Sequence, residues 1–178
     1  MYNLSKFLAC VLRHNPSSAS IKLDENGWAD VDALIDGVCK TGRVINAQIL
    51  EEIVASDGKH RFDFNADRTK IRANQGHSID VDVEMQVLAP PDILYHGTAE
   101  KYIESIKREG ILKRTRNYVH LSKDEQTAIE VGSRHGKAVV LKIDAKRMYE
   151  DGFEFLLSAN GIWQTKQVPF EYVIAVIS

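Results

Sequence analysis

The chain of 178 residues carries 23 Lys and Arg against 25 Asp and Glu, for a net charge of −2, and is 44% hydrophobic and 27% charged. This is an ordinary globular composition, long enough for one large domain or two small ones. Its charge balance excludes a general electrostatic pull toward nucleic acid, so any such contact must come from a local cluster of Arg, His and Lys.

Leu4, Phe7, Leu8, Val11 and Leu12 recur at helical spacing, with Asn3 placed to cap the start. Asn15-Pro16 ends that helix, because the residue before a proline avoids the helical region. Ile21-Lys22-Leu23 reads as a short strand, and Asp24-Glu25-Asn26-Gly27 as a turn. A second helix begins at Val31 behind an Asp30 cap, and a third opens at Asn46 with Ile49, Leu50, Ile53 and Val54 on one face. Arg61 to Phe64 and Ile71 to Ala73 are alternating segments around a polar Asp67-Arg68-Thr69 tip, the pattern of a hairpin. Three helices closed by a β-wing describe a winged-helix module, a fold often used to grip nucleic acid.

Gly76 to Pro91 reads as a strand and a linker, and Pro90-Pro91 is the clearest break, which places the expected domains at 1–89 and 90–178. Ile93 to His96 is a strand. Lys101 to Glu109 is a helix with Tyr102, Ile103 and Ile106 facing inward, ended by Gly110. Val119 to Ser122, Ala138 to Ile143, Phe153 to Ser158, Ile162-Trp163 and Tyr172 to Ile177 are strand-like, while Asp124 to Val131 and Ala145 to Met148 are short helices. The fold class expected is α+β with a mostly antiparallel sheet.

Two distant cysteines, Cys10 and Cys39, form no CxxC pair, which argues against a thiolate zinc site and a disulfide framework. Free thiols fit a reducing cytosol. The opening residues lack the parts of a signal peptide, and no apolar run is long enough to span a bilayer. A cytoplasmic chain with no membrane contact is therefore expected. The six histidines show no HExxH or other paired metal spacing, so no metal is expected. No GxGxxG follows a strand, which leaves a Rossmann mode of NAD⁺ binding without support.

Several short motifs admit both a bland and a chemical role. Arg13-His14 closes a helix, where cations complement the macrodipole. Lys59-His60-Arg61-Phe62 is either a solvated turn or a basic cluster, and Gln75-Gly76-His77-Ser78 can be a simple turn. In Tyr95-His96-Gly97-Thr98, a buried histidine satisfied by backbone competes with a site where Gly97 lets a ligand approach the main chain. His120 and Ser122 share one strand face beside a basic loop holding Arg114 and Arg116. The stretch from Val131 to Lys137 fails as a Walker A motif: one residue is missing between its glycines, and Ala138 stands where a hydroxyl should bind magnesium. It reads better as a turn feeding a strand, still able to lend N–H groups to a phosphate. Ser158-Ala159-Asn160-Gly161-Ile162-Trp163 is a hairpin turn by its Asn-Gly pair.

Taken together and in order, these segments resemble the RNA 2′-phosphotransferase family, known in bacteria as KptA. The matching stretches are Leu4-Ser5-Lys6 with Leu12-Arg13-His14, Asn26-Gly27-Trp28, Arg61-Phe62, Gln75-Gly76-His77-Ser78, His96-Gly97-Thr98, Arg116-Asn117 with Val119-His120-Leu121-Ser122, Val131-Gly132 with Arg134 and Gly136-Lys137, and Ser158 with Asn160-Gly161-Ile162-Trp163 and Val168-Pro169. The resemblance implies an N-terminal winged-helix lobe that binds an RNA 2′-phosphate and a C-terminal ADP-ribosyltransferase-like lobe that binds NAD⁺. It also implies a two-step reaction. The internal 2′-phosphate of an RNA attacks the nicotinamide ribose of NAD⁺ and expels nicotinamide, giving a 2′-phospho-ADP-ribosyl RNA. The ribose 2″-hydroxyl then attacks that phosphate, leaving 2′-hydroxyl RNA and ADP-ribose 1″,2″-cyclic phosphate. In eukaryotes and fungi this reaction completes tRNA splicing.

On this resemblance the essential residues fall on Arg13, His14, Arg61 and Arg116. The nucleotide pocket falls on His96, Gly97, Thr98, His120, Ser122, Arg134, Ser158 and Asn160. Many relatives have His where this chain has Tyr118. NAD⁺ is then a co-substrate, no metal is needed, the partner is RNA with an internal 2′-phosphate, and a monomer is expected. Two other functions are weighed beside it. One is ADP-ribosylation of terminal nucleic-acid phosphates, which stops after the first step and is told apart by a stable ADP-ribosylated end. The other is a non-enzymatic winged-helix binding protein, against which the first half offers no Lys/Arg-rich recognition helix.

Overall fold

The computed structural model describes residues 2–178, and the chain divides into two compact units after Glu84. In the first unit, helix α1 (Tyr2–Arg13) is followed by a short 3₁₀ turn (Pro16–Ala19), strand β1 (Ala29–Asp30), helices α2 (Val31–Lys40) and α3 (Ala47–Ala55), and strands β2 (Phe62–Phe64) and β3 (Lys70–Ala73). The sheet order is β1-β3-β2, with Phe64 and Ala29 both opposite Ile71. The caps are as the sequence implies. Asp30 accepts from the Ala33 N–H and Asn46 from the Ile49 N–H, each at 2.8 Å, satisfying donors that a helix start leaves unpaired. Leu8, Val11 and Leu12 of α1, Leu34 and Val38 of α2, Leu50 and Ile53 of α3, and Phe62 and Ile71 of the hairpin are buried together. At about 1.5–3 kcal/mol for each large apolar side chain, this cluster is what holds three short helices on the three-stranded sheet.

Two expectations fail in this unit. Helix α1 already includes Asn3, so Asn3 does not cap it. Ile21-Lys22-Leu23 is not a strand: the Ile21 N–H turns back to the Pro16 carbonyl at 3.2 Å, and Ile21 joins the core by its side chain alone. The edge of β3 is instead covered by Ala29–Asp30, too short to show as an alternating run.

The second unit contains β4 (Gln86–Val87), β5 (Ile93–Ala99), α4 (Ile103–Glu109), β6 (Ile111–Leu112), β7 (Val119–Leu121), α5 (Glu125–Gly132), β8 (Ala138–Asp144), α6 (Ala145–Glu150), β9 (Leu156–Leu157), β10 (Trp163–Thr165), β11 (Gln167–Val168) and β12 (Val173–Ile177). Among the described residues every strand pairing is antiparallel, in sheets ordered β12-β8-β5, β4-β9-β10-β7 and β11-β6. The fold is therefore α+β. A reciprocal bridge joins the two larger sheets: Tyr95 N–H to Ser122 O at 2.9 Å and Ser122 N–H to Tyr95 O at 2.8 Å. The core beneath contains Leu94, Leu121, Leu141, Ile143, Met148, Phe155 and Trp163.

The break falls earlier than the expected 89/90 boundary because Gln86 and Val87 pair with Leu157 and Leu156 and so belong to the second unit. Tyr102 is 40% exposed rather than inward. Residues Glu100–Tyr102 form a 3₁₀ turn, which shifts their phase against α4.

Candidate active site

In the first unit, Arg13 ends α1 and the segment after β3 docks on that end. The Ser78 N–H donates to the Arg13 carbonyl at 3.0 Å, and the Ser78 hydroxyl lies 2.8 Å from Nδ1 of His14. Gln75-Gly76-His77-Ser78 is thus more than a turn. It closes the helix terminus that presents the Arg-His pair, and Gly76 takes the positive φ of 88° that the bend needs. His77 is 3% exposed, with Nε2 buried and without a hydrogen-bond partner. The Asn26-Gly27-Trp28 turn lies against it; a side chain on Gly27 would come within 3.7 Å of His77 Nε2. Burial, followed by the charges of Arg13, His14 and Arg72, pushes the His77 pKa down to about 4, so its ring is neutral at pH 7.

Arg61 stands just before β2 in a different constellation. Its Nε and Nη2 reach Oδ1 of Asp57 at 3.1 and 2.9 Å, and its own N–H reaches Oδ2 at 2.6 Å. Ser5, Ser56, Asp57, Gly58, Lys59 and Arg61 line a shallow depression that includes neither Arg13 nor His14.

In the second unit, alternation puts His96 and Thr98 on one face of β5 and Gly97 on the other. A side chain on Gly97 would overlap the Ala128 carbonyl of α5, and one on Gly132 would come within 2.6 Å of the Thr98 carbonyl. This corrects the reason for Gly97: the space it leaves admits helix α5, not a ligand. His96 Nδ1 donates to the His120 carbonyl at 3.0 Å. Burial lowers the His96 pKa, opposed by that bond and assisted by the Arg116 charge, so the ring is neutral and Nε2 is an acceptor.

Arg116 Nη1 donates to Nδ1 of His120 at 2.8 Å, which puts the neutral ring's proton on Nε2. Burial, followed by the charge of Arg134, lowers the Arg116 pKa. Ser158 is buried in the β9–β10 hairpin, where its hydroxyl donates to Asn160 Oδ1 at 2.7 Å and accepts from the Ile162 N–H at 3.0 Å. Gly161, at φ 78°, completes the turn.

The structure therefore brings Arg13 together with His14, and Arg116 together with His120, whose carbonyl holds His96. It places Ser158 with Asn160 in one turn, and Arg61 with Asp57. Sequence reasoning missed the pairing of Asp57 with Arg61 and the contact of Ser78 on His14. The available signal was an Asp four residues before an Arg, which outside a helix carries no pattern. Among the described residues no three His, Cys, Asp or Glu side chains gather as a metal site requires, and no helix is long and apolar enough to cross a membrane.

Comparison with known proteins defines the class. The model of the RNA 2′-phosphotransferase, Tpt1 / KptA family matches residues 1–167. The chain belongs to this family of transferases. It is 49% identical over 171 residues to a probable RNA 2′-phosphotransferase of Flavobacterium johnsoniae, covering 96% of this chain and 94% of that one. It is likewise 49% identical over 171 residues to one of Fusobacterium nucleatum, covering 96% of each, and 48% identical over 169 residues to one of Hahella chejuensis, covering 95% and 91%.

Proposed function

We propose that the chain transfers an internal RNA 2′-phosphate to NAD⁺, yielding 2′-hydroxyl RNA, nicotinamide and ADP-ribose 1″,2″-cyclic phosphate. On this reading the first unit is a winged-helix-like lobe that takes the RNA 2′-phosphate, and the second is an ADP-ribosyltransferase-like lobe that takes NAD⁺. The observation that carries it, beyond family membership, is Arg116: a guanidinium held by His120 beside the like charge of Arg134.

NAD⁺ is a co-substrate that supplies the accepting ribose and a nicotinamide leaving group. The residues available to it are largely neutral. His96 offers an acceptor nitrogen, Thr98, Ser122 and Ser158 offer hydroxyls, and Asn160 an amide. Such groups suit ribose hydroxyls and a carboxamide, while Arg134 suits a pyrophosphate.

A phosphomonoester at pH 7 carries nearly two negative charges, its second pKa being about 6. It is already a nucleophile, so the first step needs positioning more than a general base. In the second step a hydroxyl attacks a phosphodiester and charge builds on the non-bridging oxygens. Each unit has arginines to offer such oxygens, Arg13 and Arg61 in the first and Arg116 in the second, and a guanidinium stays charged and binds them as a fork. His14 either donates to the phosphate or protonates the departing RNA 2′-oxygen.

The test is to mix the protein with NAD⁺ and a short RNA bearing one internal 2′-phosphate, with and without EDTA, and identify the products. A cyclic phosphate formed equally in chelator supports the reading. A stable ADP-ribosylated RNA end, or loss of turnover restored by magnesium, overturns it.

A further inference from the structure

The segment that delivers Arg61 is unusually over-determined for a surface loop. It leaves α3 at Ala55 and reaches β2 at Phe62, and two of the few buried polar side chains in the unit hold it. Asp57 is 7% exposed and Asn74 is 3% exposed. The Asn74 amide donates from Nδ2 to the His60 carbonyl at 2.8 Å, and the Asn74 N–H donates to the Arg61 carbonyl at 2.9 Å. His60 itself sits at φ 43°, the left-handed region that non-glycine residues avoid. Its N–H is fixed on the Asp57 carbonyl at 2.8 Å. Strained backbone of this kind persists only where surrounding bonds enforce it, and it concentrates at functional positions.

The Asp57 carboxylate divides its two oxygens. Oδ2 takes the Arg61 N–H, and Oδ1 takes the side-on edge of the guanidinium, Nε and Nη2. Among the described residues Nη1 of Arg61 has no hydrogen-bond partner. A guanidinium gripped by one edge keeps its end-on edge, Nη1 with the second hydrogen of Nη2, for another planar acceptor. Arg61 retains 27% side-chain exposure at the rim of the depression that Ser5 and Lys59 also line, whereas the Asp57 side chain retains 3%. The pair is thus buried on its carboxylate side and open on its guanidinium side. A pair formed for stability alone would be a weak choice, because taking a carboxylate out of water costs most of what the pairing returns.

We propose that Asp57 is the positioning residue for Arg61, clamping the side-on edge so that the end-on edge is presented to the RNA phosphate. This rests on the phosphate-binding role of Arg61 put forward above. Asp57 itself touches no substrate. Its negative charge beside the site weakens the local field, so a residue acting through the field alone would lower phosphate affinity, and its removal would help. Positioning predicts the reverse.

The experiment is a double-mutant cycle on the full chain: wild type, Asp57→Ala, Arg61→Ala and the double variant, with rates of 2′-phosphate removal from the short RNA in the presence of NAD⁺. Asp57→Ala is expected to be slower by about 10- to 100-fold, the scale of a misplaced catalytic group. The double variant is expected to be no slower than Arg61→Ala. Asp57→Asn, which keeps the shape and one acceptor oxygen, takes the place of the alanine variant if that fails to fold. A rate unchanged or raised by the Asp57 substitution overturns the proposal, as does a loss that persists in full in the Arg61→Ala background. A second measurement needs no turnover. The Arg61 Nε–H resonance, assigned with Arg61→Lys, is expected to be resolved and slow to exchange in wild type and to merge with the exposed arginines in the Asp57 variant. An unmoved signal overturns the clamp. A wild-type protein inert toward the RNA would overturn the phosphotransferase reading, and the resonance would still decide the clamp.

Discussion

The two units hold their chemistry by different means. In the first, Arg13, His14 and Arg61 sit at a helix end and on a loop, and side chains set them: Ser78 from the segment after β3 closes on His14, and Asp57 of the same loop closes on Arg61. In the second, His96, Thr98 and His120 sit on strands and Ser122 at a bridge just past one, and main-chain pairing sets them: the Tyr95–Ser122 bridge, the β10–β7 register, and the His120 carbonyl that fixes the His96 ring. Permanently charged groups dominate the first set and neutral hydrogen-bonding groups the second, where Arg116 and Arg134 are the charged exceptions. A dianionic phosphate and an uncharged ribose-amide portion ask for just that contrast. Side-chain clamps can be removed one at a time by substitution, whereas a main-chain frame cannot, so the units should fail in different ways.

The largest expected effect tests charge in both units. Arg13→Ala and Arg116→Ala should each slow overall turnover by roughly 10²–10³, the usual cost of one lost electrostatic donor. The loss should fall more on the second step than on the first. Step one of the proposed reaction consumes a dianion and ends with a monoanionic diester, so tight arginine contacts stabilise the start as well as the transition state, and such uniform binding accelerates little. Step two builds charge on the non-bridging oxygens, and the same contacts strengthen on the way up. RNA carrying 2′-phospho-ADP-ribose, slower on a gel than the substrate, should accumulate in these variants and in His14→Ala. If the variants show only slower loss of substrate, their role lies in binding or in step one.

Arg61→Lys should fall next, at about 10-fold or more below wild type. Lysine keeps the charge but offers neither the side-on edge that Asp57 takes nor the fork left over. A lysine variant at near wild-type rate would show that charge alone suffices in the first unit, and the contrast between the units would lose its basis.

Much of this was legible from the residues, and the reasons are local. Asp30 and Asn46 announce their helices because a cap is a short-range bond between a side chain and an N–H three residues on. The Asn160-Gly161 pair announces its hairpin because few residues tolerate the φ of 78° found at Gly161. What stayed hidden depends on partners far along the chain. Ala29–Asp30 becomes a strand only because β3 lies beside it, and Ile21 fails as one because its N–H turns back to the Pro16 carbonyl. The Gly97 requirement comes from the Ala128 carbonyl on another element. Asp57 could not be told from a surface aspartate until the loop closed over it.

The buried histidine of the first unit gives a stability test. His77 titrates at about 4 when folded, against 6.5 for an ordinary histidine, mainly because burial penalises its charge. Between those values the unfolded chain binds the proton and the folded one does not. The contribution of His77 is therefore fully present above about pH 6.5 and is lost as pH falls toward 4, below which both states are protonated. The loss is on the order of 3 kcal/mol at about 1.4 kcal/mol per pKa unit. Urea unfolding at pH 7 and pH 4.5 should show His77→Asn losing less on acidification than wild type. Parallel curves would mean that His77 does not carry this dependence.

The smallest expected effect bears most directly on how each unit holds a histidine. His14 is oriented by the Ser78 hydroxyl at 2.8 Å, a side chain that Ser78→Ala deletes. His96 is oriented by the His120 carbonyl, which no substitution removes. A neutral hydrogen bond contributes about 1 kcal/mol net, so Ser78→Ala should slow turnover only about five-fold, since 1.4 kcal/mol corresponds to tenfold. The Ser78 N–H still donates to the Arg13 carbonyl in that variant, so the helix end stays closed and the melting temperature should barely move. Ser78→Thr should restore most of the rate by restoring the hydroxyl. Because the alanine variant removes a hydrogen-bond partner of the His14 ring, it should also shift the pH–rate profile, which a simple packing defect would leave in place. A loss of stability equal to the loss of rate, with no shift in the profile and no rescue by threonine, would make Ser78 a structural residue. The first unit would then orient its histidine through the main chain, as the second does.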